Sequence, residues 1–333
     1  MSKVRVAING FGRIGRLVLR AALVSGRDDI EFVAVNDLAP VDQNAYLLEY
    51  DSVHGKLPMD VRVEGEYIIV GNQKIKCIAE RDPSKLPWGE MNIDVVMECT
   101  GIFTAADKAR VHLECGAKRV LVSAPSAGAD KTIVFGVNQD TLTADDLIVS
   151  NASCTTNCLA PVAKVLDDTF GVISGWMTTV HAYTGDQQLL DKNHKDPRRA
   201  RAAGLSMIPT STGAAKAIGL VLPKLAGKLD GMAIRVPTPD VSVVELVVNL
   251  EKDATVDAVN AAMKAAESKT FGYNDKALVS VDFKGDAHSS IFDASQTKVL
   301  GDRLVHVTAW YDNEWGFSNR MGDTAVAMGK LIK

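Results

Sequence analysis

The chain has 333 residues, of which 47% are hydrophobic and 23% are charged, and its formal net charge is −4. This length is about twice that of a usual single domain, so we expect two domains. The mild negative charge argues against a dedicated nucleic-acid-binding protein, and no apolar run is long enough to span a membrane. The opening MSKVRVAINGFGRIG lacks a signal peptide's apolar core, and five irregularly spaced cysteines are not a disulfide framework. We therefore expect a cytoplasmic protein with reduced cysteines.

The part of the chain up to about residue 150 alternates between buried-looking strands and helices. Strands are predicted over residues 4–8, 30–37, 93–101 and 118–126. Helices are predicted over residues 13–26 and 104–115, and Gly116 stands where a C-terminal cap belongs. A Gly71–Asn72 turn between two further strand-like runs predicts a hairpin. This alternation predicts an α/β fold with a doubly wound parallel sheet of the Rossmann type.

The pattern changes after Cys154, where long strand-like runs follow one another with fewer helices between them. The predicted strands are residues 174–184, 231–239, 241–250 and 303–313. Residues 184–210 show no clean period and predict an unusually long loop, which is often a functional one. The end of the chain, from residue 316, is predicted to be helical. The second half therefore indicates an α+β domain with a large mixed or antiparallel sheet.

Gly10, Gly12 and Gly15 form the pattern G-x-G-x-x-G between the first predicted strand and the first helix. Here such glycines allow a tight turn, approach of the backbone to a pyrophosphate and close helix–strand packing, while the helix N-terminus offers amide donors. Asp37 ends the second strand, 22 residues after Gly15, where an acid binds the adenosine ribose. The sequence therefore predicts a dinucleotide site. NAD is favoured over NADP, because Asp37 repels a 2′-phosphate and Leu38 offers no cation.

The segment SNASCTTNC, residues 150–158, holds two cysteines four residues apart. A zinc site needs about four ligands and no second spaced pair is present, and a disulfide here would close a very short loop. The third alternative is a reactive thiol with a bystander. Ser153 predicts an N-cap, which places Cys154 in the first helical turn, where free amides lower a thiol pKa. Cys158 fits a small buried side chain, and Pro161 predicts a bend or restart of the helix. The residues alone support a catalytic and a structural Cys154 equally.

Histidines and cations offer further candidates. Of six histidines, His54 and His181 lie where a general base belongs, and a hydrogen-bonded structural role suits each of them equally. The basic run KDPRRAR at 195–201 favours a solvated face or an anion pocket over a nucleic-acid patch, because the chain is acidic and hydroxyl-rich residues follow. Thr212 and Gly213 precede an apolar helical stretch, whose N-terminus is a potential phosphate site.

Seven motifs allow a comparison with a known family: INGFGRIGR, ASCTTNCLAP, HAYTGDQ, RRARAA, PTSTGAAKAIG, RVPTPDVSVVEL and WYDNEWGFSNR. Together and in this order they closely resemble the phosphorylating glyceraldehyde-3-phosphate dehydrogenases. The resemblance runs from residue 4 to the C-terminus, which is essentially the whole chain. One departure is Phe317, where the family commonly has a tyrosine. A ring remains to flank the nicotinamide, but the hydroxyl and its hydrogen bond do not.

The resemblance implies a role for each matching residue. Cys154 is implied as the nucleophile and His181 as its base, and we hypothesise that they form a thiolate–imidazolium couple at rest. The residues implied to bind inorganic phosphate or the substrate phosphate are Ser153, Thr155, Thr184, Arg199, Thr212, Gly213 and Arg235. The residues implied to bind the cofactor are Gly10, Gly12, Arg13, Ile14, Asp37, Arg81, Thr100, Ser123 and Asn319. No metal site is expected.

The resemblance also implies partners and organisation. The expected reactants are glyceraldehyde 3-phosphate, NAD and inorganic phosphate, in a glycolytic reaction through a cysteine thioester. The expected assembly is a homotetramer in which residues 184–210 pack near a neighbour's cofactor, without membrane or dedicated nucleic-acid binding. The expected domains are an NAD-binding domain, 1–152, joined by the C-terminal helix 316–333, and a catalytic domain, 153–315. The alternatives are an erythrose-4-phosphate dehydrogenase of the same fold and a non-catalytic NAD- or RNA-binding protein.

Overall fold

The computed structural model of the chain describes residues 3–332, which fall into two units. One unit comprises residues 3–135, 139–152 and 318–332, and the other comprises residues 136–138 and 153–317. The sequence predicts an NAD-binding domain, 1–152 with helix 316–333, and a catalytic domain, 153–315. The assignment of these functions to the two units is a proposal.

The first unit is built around a mainly parallel sheet. Its strands are β1 (Val4–Asn9), β2 (Ile30–Asn36), β3 (Tyr50–Asp51), β4 (Gly55–Lys56), β5 (Val61–Glu64), β6 (Tyr67–Val70), β7 (Gln73–Ile78), β8 (Val95–Glu98), β9 (Arg119–Val122), β10 (Lys131–Thr132) and β11 (Ile148–Ser150). Its helices are α1 (Arg13–Val24), α2 (Val41–Glu49), α3 (Ala106–Ala109) and α4 (Val111–Glu114). The strand order is β10-β11-β9-β8-β1-β2-β7-β6-β5, and β3 and β4 form a separate pair.

Parallel pairing runs through the centre of this sheet. β1 pairs in parallel with both β2 and β8, and β8 pairs in the same way with β9. Val6, Ala7 and Ile8 on β1 are fully buried, as expected for a central strand that is apolar on both of its faces. The α/β fold with a doubly wound parallel sheet that the sequence predicts is confirmed.

Two local predictions in this unit have different outcomes. The hairpin at Gly71–Asn72 is confirmed, because β6 and β7 pair antiparallel across that turn. The helix predicted over residues 104–115 instead forms two short helices, α3 and α4, divided at Arg110. The N–H of Leu113 binds the Arg110 carbonyl three residues back, which tightens the turn there. Gly116 follows with a φ of 94°, as the cap prediction requires.

The second unit is built around a seven-stranded sheet. Its strands are β12 (Val172–Ala182), β13 (Ile208–Ser211), β14 (Leu229–Val236), β15 (Ser242–Leu250), β16 (Phe271–Asn274), β17 (Ser290–Leu300) and β18 (Leu304–Tyr311). Its helices are α5 (Cys154–Phe170), α6 (Ala214–Val221) and α7 (Val256–Ala265), and α8 (Trp315–Gly329) is the last helix of the chain. None of the helices among residues 3–332 has the length and apolar composition to cross a membrane.

Antiparallel pairs dominate this second sheet, whose order is β13-β14-β12-β15-β18-β17-β16. Two pairs are parallel, β12 with β14 and β16 with β17. Buried and more exposed residues alternate along β15, which is typical of a sheet with one face covered and one face open. Helix α5 packs against β15, β17 and β18. The mixed sheet predicted for the second domain is confirmed.

Helix α5 runs without interruption from Cys154 to Phe170. Of the bend or restart predicted at Pro161, the restart is therefore wrong, and the bend stays a prediction. A proline in a helix interior removes one hydrogen bond and costs about 3 kcal/mol. Pro161 and its neighbours Ala160 and Val162 are buried, and burial of this apolar stretch offsets that cost.

Residues 183–207 connect β12 to β13 without a regular helix or strand. The loop predicted over residues 184–210 is confirmed up to residue 207, whereas residues 208–210 already belong to β13. The loop is held in part by its own charges, since Arg199 pairs with Asp186 at 2.7 Å. It also exposes four large apolar side chains, which are Leu189, Leu190, Leu205 and Met207.

Candidate active site

The first candidate site lies where β1 ends and α1 begins. Gly10 has a φ of 90°, and a Cβ placed on it would lie 2.6 Å from the Thr100 backbone nitrogen, so only glycine fits this close approach. Gly12 caps the N-terminus of α1, and a Cβ on it would meet nothing within 4 Å. The start of α1 is therefore open to an approaching anion, which its free amides would bind.

A cavity of about 350 Å³ opens beside this loop. Five of the residues that the sequence assigns to the cofactor line it, namely Gly10, Gly12, Asp37, Arg81 and Thr100. Outside its lining are Arg13 and Ile14 at the start of α1, Ser123 after β9, and half-buried Asn319 in α8. Arg13 forms an ion pair with Asp51 at 3.1 Å. The structure thus groups part of the predicted cofactor set around one cavity.

The Asp37 carboxylate, directly after β2, has a fixed orientation. One of its oxygens accepts a hydrogen bond from the Phe11 N–H at 2.9 Å, and the other accepts one from the Ala39 N–H at 3.0 Å. Phe11 belongs to the glycine-rich loop, so this hydrogen bond fixes the Asp37 carboxylate against the turn that approaches a pyrophosphate. A carboxylate held in this position binds ribose hydroxyls and disfavours a 2′-phosphate.

We expect NAD⁺ to be preferred over NADP⁺ by well over tenfold in kcat/KM. Losing or repelling one desolvated charged contact costs about 1.5–3 kcal/mol, and about 1.4 kcal/mol is a factor of ten. Asp37→Ala should remove most of this preference, because Arg81 lines the same cavity and could then attract the 2′-phosphate unopposed. Steady-state rates with both cofactors check this. Equal kcat/KM values in the unmodified chain would contradict it.

The second candidate site begins at the N-terminus of α5. Ser153 is the N-cap, as predicted, and its hydroxyl oxygen accepts a hydrogen bond from the Thr156 N–H at 3.0 Å. Cys154 is the first helical residue, so its thiol lies beside unpaired amides at the positive end of the helix dipole. Cys158, one turn later, is fully buried and its sulfur lies 3.5 Å from Ser290 Oγ. Both cysteines are free thiols, which excludes a disulfide between them.

His181 on β12 contacts the cysteine. Its Nε2 lies 3.4 Å from Cys154 Sγ, and its ring is buried. Its Nδ1 lies 2.6 Å from the Ala182 carbonyl oxygen, and because a carbonyl only accepts, Nδ1 carries the donated proton. In the neutral ring Nε2 is then an acceptor that faces the thiol, which is the tautomer a general base requires. His54, the other candidate base, belongs to the first unit.

Arg235 lies against the same histidine, because β12 and β14 pair in parallel with His181 opposite Arg235. Its Nη1 is 3.1 Å from His181 Nδ1, 3.2 Å from the Ala182 carbonyl oxygen and 3.4 Å from Thr184 Oγ1. Since Nη1 and Nδ1 both carry protons, Nη1 donates to the two oxygens and acts on the ring as a positive charge. Its Nε is buried and has no hydrogen-bond acceptor among residues 3–332. This guanidinium is suited to bind an anion.

Burial and charge set the pKa values of the thiol and the imidazole. Burial raises the pKa of Cys154, while the charge of Arg235 and hydrogen bonds from Thr155 act in the opposite direction. Burial and the charge of Arg235 lower the pKa of His181 to about 3. Taken singly, these directions favour an uncharged pair over the expected thiolate–imidazolium couple. Moving the proton from Sγ to Nε2 creates two adjacent, attracting charges, so the two groups titrate together. The couple stays a prediction.

Four of the residues implied to bind phosphate lie at helix starts in this unit. Ser153 and Thr155 open α5, and the buried Thr155 hydroxyl lies 2.8 Å from the Tyr311 hydroxyl. Gly213 is the N-cap of α6, and the Thr212 hydroxyl accepts an N–H of its first turn at 3.2 Å. Both helix starts offer amides that favour an anion.

Arg199 is held by contacts within the second unit. Its Nη1 donates to Asp186 at 2.7 Å, its Nε donates to the Thr210 hydroxyl at 3.0 Å, and its Nη2 donates to the Ser211 carbonyl at 3.2 Å. The contact with Ser211 places the guanidinium near the start of α6. An anion bound at Arg199 would compete with the Asp186 carboxylate.

Known proteins match this chain along most of its length. Residues 4–106 match the family model of the NAD binding domain of glyceraldehyde 3-phosphate dehydrogenase, and residues 153–313 match that of its C-terminal domain. The glyceraldehyde-3-phosphate dehydrogenase of Cereibacter sphaeroides is 62% identical over 99% of both chains. The enzyme of that name from Xanthobacter flavus is 61% identical over 98% of this chain and 99% of its own. The chain belongs to the glyceraldehyde-3-phosphate dehydrogenase family.

Membership of the glyceraldehyde-3-phosphate dehydrogenase family confirms the resemblance drawn from the seven motifs. A third relative, from Zymomonas mobilis, is 55% identical over 99% of both chains. The chain is an NAD-dependent oxidoreductase, and NAD is its cofactor. The first unit fits this cofactor, because a glycine allows close approach to the loop, the start of α1 is open to an anion, and Asp37 is oriented at the same cavity.

Tyr311 is a residue of this family member's site that the sequence analysis gave no role, although the motif WYDNEWGFSNR contains it. Its hydroxyl lies 2.8 Å from Thr155 Oγ1 and 2.9 Å from Thr179 Oγ1. Its ring stands edge-on to that of His181, with centroids 5.9 Å apart. Burial raises the Tyr311 pKa well above its usual value, so it forms an uncharged wall of the site. The spacing of these residues along the sequence cannot reveal their contact, because strand pairing brings them together.

Proposed function

We propose that this chain catalyses the oxidative phosphorylation of glyceraldehyde 3-phosphate to 1,3-bisphosphoglycerate with reduction of NAD⁺, a step of glycolysis and gluconeogenesis in the cytoplasm. The observation that carries the proposal is the contact of Cys154 Sγ with His181 Nε2 at 3.4 Å. The thiol stands at a helix start, and Arg235 lies beside the imidazole. A nucleophile, a base and a cation for a phosphate are the groups that this reaction needs.

The first step forms a bond between Cys154 and the aldehyde. The sulfur attacks the carbonyl carbon while the thiol proton passes to His181 Nε2, and the carbonyl oxygen then takes this proton to give a hemithioacetal. Nε2 is free to accept because the other ring nitrogen donates to the Ala182 carbonyl. The amides at the start of α5 favour the negative charge that develops on sulfur.

The second step oxidises the hemithioacetal. When bound, NAD⁺ supplies the acceptor for the hydride. His181 Nε2 takes the hydroxyl proton as the hydride leaves carbon, and a thioester on Cys154 remains. Inorganic phosphate then attacks the thioester carbon, the C–S bond breaks, and Cys154 leaves as a thiolate that recovers a proton from His181. The acyl phosphate product conserves the energy of the oxidation.

Two anion sites are needed, one for the phosphate of the aldehyde and one for the attacking phosphate. We assign Arg235 and Thr184 to the phosphate of the aldehyde, because both belong to the cluster around His181. The attacking phosphate is assigned to the helix starts, with Arg199 near the second of them. The residues at those helix starts are Ser153, Thr155, Thr212 and Gly213.

Replacing Arg235 with Leu should lower kcat/KM for glyceraldehyde 3-phosphate by about ten- to a hundredfold, since a hydrogen bond to a charged group is worth about 1.5–3 kcal/mol. Glyceraldehyde, which lacks the phosphate, should lose less. Loss of the cation also removes a charge that lowers the pKa of both His181 and Cys154, and this change affects both aldehydes alike. Arg235→Lys is the matched control and should lose less, because it keeps the charge. Equal losses for both aldehydes would indicate a structural role instead.

The nearest alternative is an erythrose-4-phosphate dehydrogenase of the same fold. The thiol, the imidazole and the anion sites serve either aldehyde, whereas the names of the relatives favour glyceraldehyde 3-phosphate. Comparison of kcat/KM for the two aldehydes, each with and without inorganic phosphate, decides between them. A higher value for erythrose 4-phosphate would overturn the proposal. The Cys154–His181 contact argues against a non-catalytic NAD- or RNA-binding protein.

We propose a homotetramer, the assembly that the family resemblance implies, and exposed apolar side chains support contacts between chains. Leu189 and Leu205 in the long loop are 88% and 82% exposed, and single chains rarely leave large contiguous apolar patches open to water. The open face of the second sheet adds Trp176, which is 51% exposed and pairs with Val247 across the strands. Light scattering should give the mass of four chains, and the mass of a single chain would overturn this assembly.

A further inference from the structure

The end of β8 carries a buried acid that the proposed mechanism does not use. Glu98 is 1% exposed, and its carboxylate is satisfied by a set of uncharged donors. Its Oε2 accepts hydrogen bonds from Asn9 Nδ2 at 2.6 Å and from His112 Nε2 at 3.0 Å. Its Oε1 accepts from the Thr100 N–H at 2.8 Å and from the Thr100 hydroxyl. Four donors therefore converge on one carboxylate.

Chemistry fixes the direction of these hydrogen bonds. Trp88 Nε1 can only donate, so His112 Nδ1 accepts its proton at 3.1 Å. The neutral ring of His112 then carries its own proton on Nε2, which it donates to Glu98. Trp88 and His112 are both fully buried, so water does not replace either bond. Glu98 is therefore the acceptor in each of its own four contacts.

On its other side the network reaches the cofactor cavity. Asn9 Oδ1 accepts from Asn36 Nδ2 at 2.8 Å, and Asn36 Oδ1 accepts from the Glu80 N–H at 2.9 Å. Asn9, Asn36, Glu80 and Thr100 all line the cavity. A line of hydrogen bonds thus runs beneath the cavity from the end of β2, across the end of β1, to Glu98 at the end of β8.

Glu98 joins two backbone segments that approach each other closely at this cavity. Asn9 directly precedes Gly10, where a Cβ would lie 2.6 Å from the Thr100 nitrogen. The Cys99 N–H also binds the Asn9 carbonyl at 2.7 Å. Without the carboxylate, the buried side-chain amide of Asn9 and the half-buried backbone amide of Thr100 would lose their acceptor, a costly arrangement that movement of either segment would relieve.

We propose that Glu98 is a positioning residue for NAD. Its carboxylate holds the glycine-rich turn and the Thr100 backbone at the spacing that the dinucleotide needs, and it acts through Asn9 and Thr100 without touching the cofactor. The inference rests on the proposed function only for the identity of the ligand.

Glu98→Gln tests this role in the full chain. The side chain keeps its shape, but whichever way the amide is turned, its NH₂ faces either Asn9 and His112 or the Thr100 N–H. We expect the Kd for NAD⁺, measured by calorimetry, to rise by about tenfold or more, because buried donors are left facing one another. The KM for NAD⁺ should rise with it. The KM for glyceraldehyde 3-phosphate and the alkylation rate of Cys154 should stay within about twofold.

Asp146 offers a matched control in the same unit. It is 6% exposed, and its Oδ2 accepts from the Thr143 N–H at 2.7 Å and from the Thr143 hydroxyl at 3.0 Å, just as Glu98 does from Thr100. It does not line the cofactor cavity. Asp146→Asn should lower the Tm and leave the Kd for NAD⁺ unchanged. If Glu98→Gln behaves in the same way, Glu98 is a structural residue only and the proposal is overturned.

If Glu98→Gln does not fold, a second variant tests the proposal. His112→Phe removes one donor to Glu98 from the side away from the cavity, and the ring keeps a similar shape. We expect the Kd for NAD⁺ to rise by about threefold, the effect of one weakened hydrogen bond, and an unchanged Kd would overturn the proposal. The unmodified chain in the same titration separates the two proposals, because failure of that chain to bind NAD⁺ would refute the proposed function itself.

Discussion

Cys154→Ser is expected to abolish acyl-enzyme formation and to lower kcat by at least ~10⁴-fold, as loss of a covalent nucleophile does in other enzymes. A thiol at a helix start can lose its proton near neutral pH, whereas a serine hydroxyl is far less acidic. The contact of His181 Nε2 with Cys154 Sγ at 3.4 Å does not make up for the lower acidity of the serine hydroxyl. Stopped-flow measurement of the first NADH formed after mixing with glyceraldehyde 3-phosphate reads this step directly, and NAD⁺ binding should be unchanged.

Cys158→Ser is the matched control for that variant, one helical turn away. Cys158 is fully buried, with its sulfur 3.5 Å from Ser290 Oγ and 3.6 Å from the Ala309 carbonyl oxygen. A serine hydroxyl can use both partners, so most of the activity should remain. A burst of NADH in Cys154→Ser, or its loss in Cys158→Ser, would reverse the assignment of the nucleophile.

His181→Asn should lower turnover by ~10²–10⁴-fold, the usual contribution of general acid–base catalysis. Asparagine keeps the polarity and roughly the size of the side chain but offers no basic nitrogen to Cys154 Sγ. The kcat measured at saturating NAD⁺ checks the expected loss, and the Kd for NAD⁺ serves as the control, because His181 belongs to the second unit. A kcat within about tenfold of the unmodified chain, below the usual range for such a base, would remove His181 from this role.

The same variant tests the thiolate–imidazolium couple. With His181 in place, the thiol proton can pass to Nε2. Without it, the proton must be lost to water, and the charge of Arg235 and the hydrogen bonds at the helix start are left to oppose the burial that raises the Cys154 pKa. Alkylation by iodoacetamide should therefore slow at neutral pH, and its pH profile should shift upward. An unmoved profile would contradict the couple, and His54 would be the next histidine to replace.

The arrangement of the candidate cofactor site is largely predictable because its determinants are local. Gly10 and Gly12 lie between one strand and one helix, and Asp37 follows the adjacent strand, so a single βαβ pattern places all three. Helix α2 and the short strands β3 and β4 were not predicted. Two-residue strands and a nine-residue helix carry too few residues for a periodic signal.

The chemistry of the second site was less predictable from spacing. The residues alone left Cys154 undecided, because its contact with His181 depends on how α5 packs against the sheet, and only the family resemblance favoured a nucleophile. Pro161 shows the same limit in the opposite direction, since burial keeps a helix continuous where local preference allows a restart. Glu98 and His112 have no motif in common, and the fold alone brings their side chains together.

The most direct measurement of the central claim is the mass of the chain after mixing with glyceraldehyde 3-phosphate and NAD⁺ in the absence of inorganic phosphate. We predict one phosphoglyceroyl group per chain, mapped to the peptide that contains Cys154, together with one NADH formed. Addition of phosphate should release the group as an acyl phosphate and allow turnover to continue. Steady NADH formation without an adduct, or an adduct on a different residue, would contradict catalysis through a thioester on Cys154.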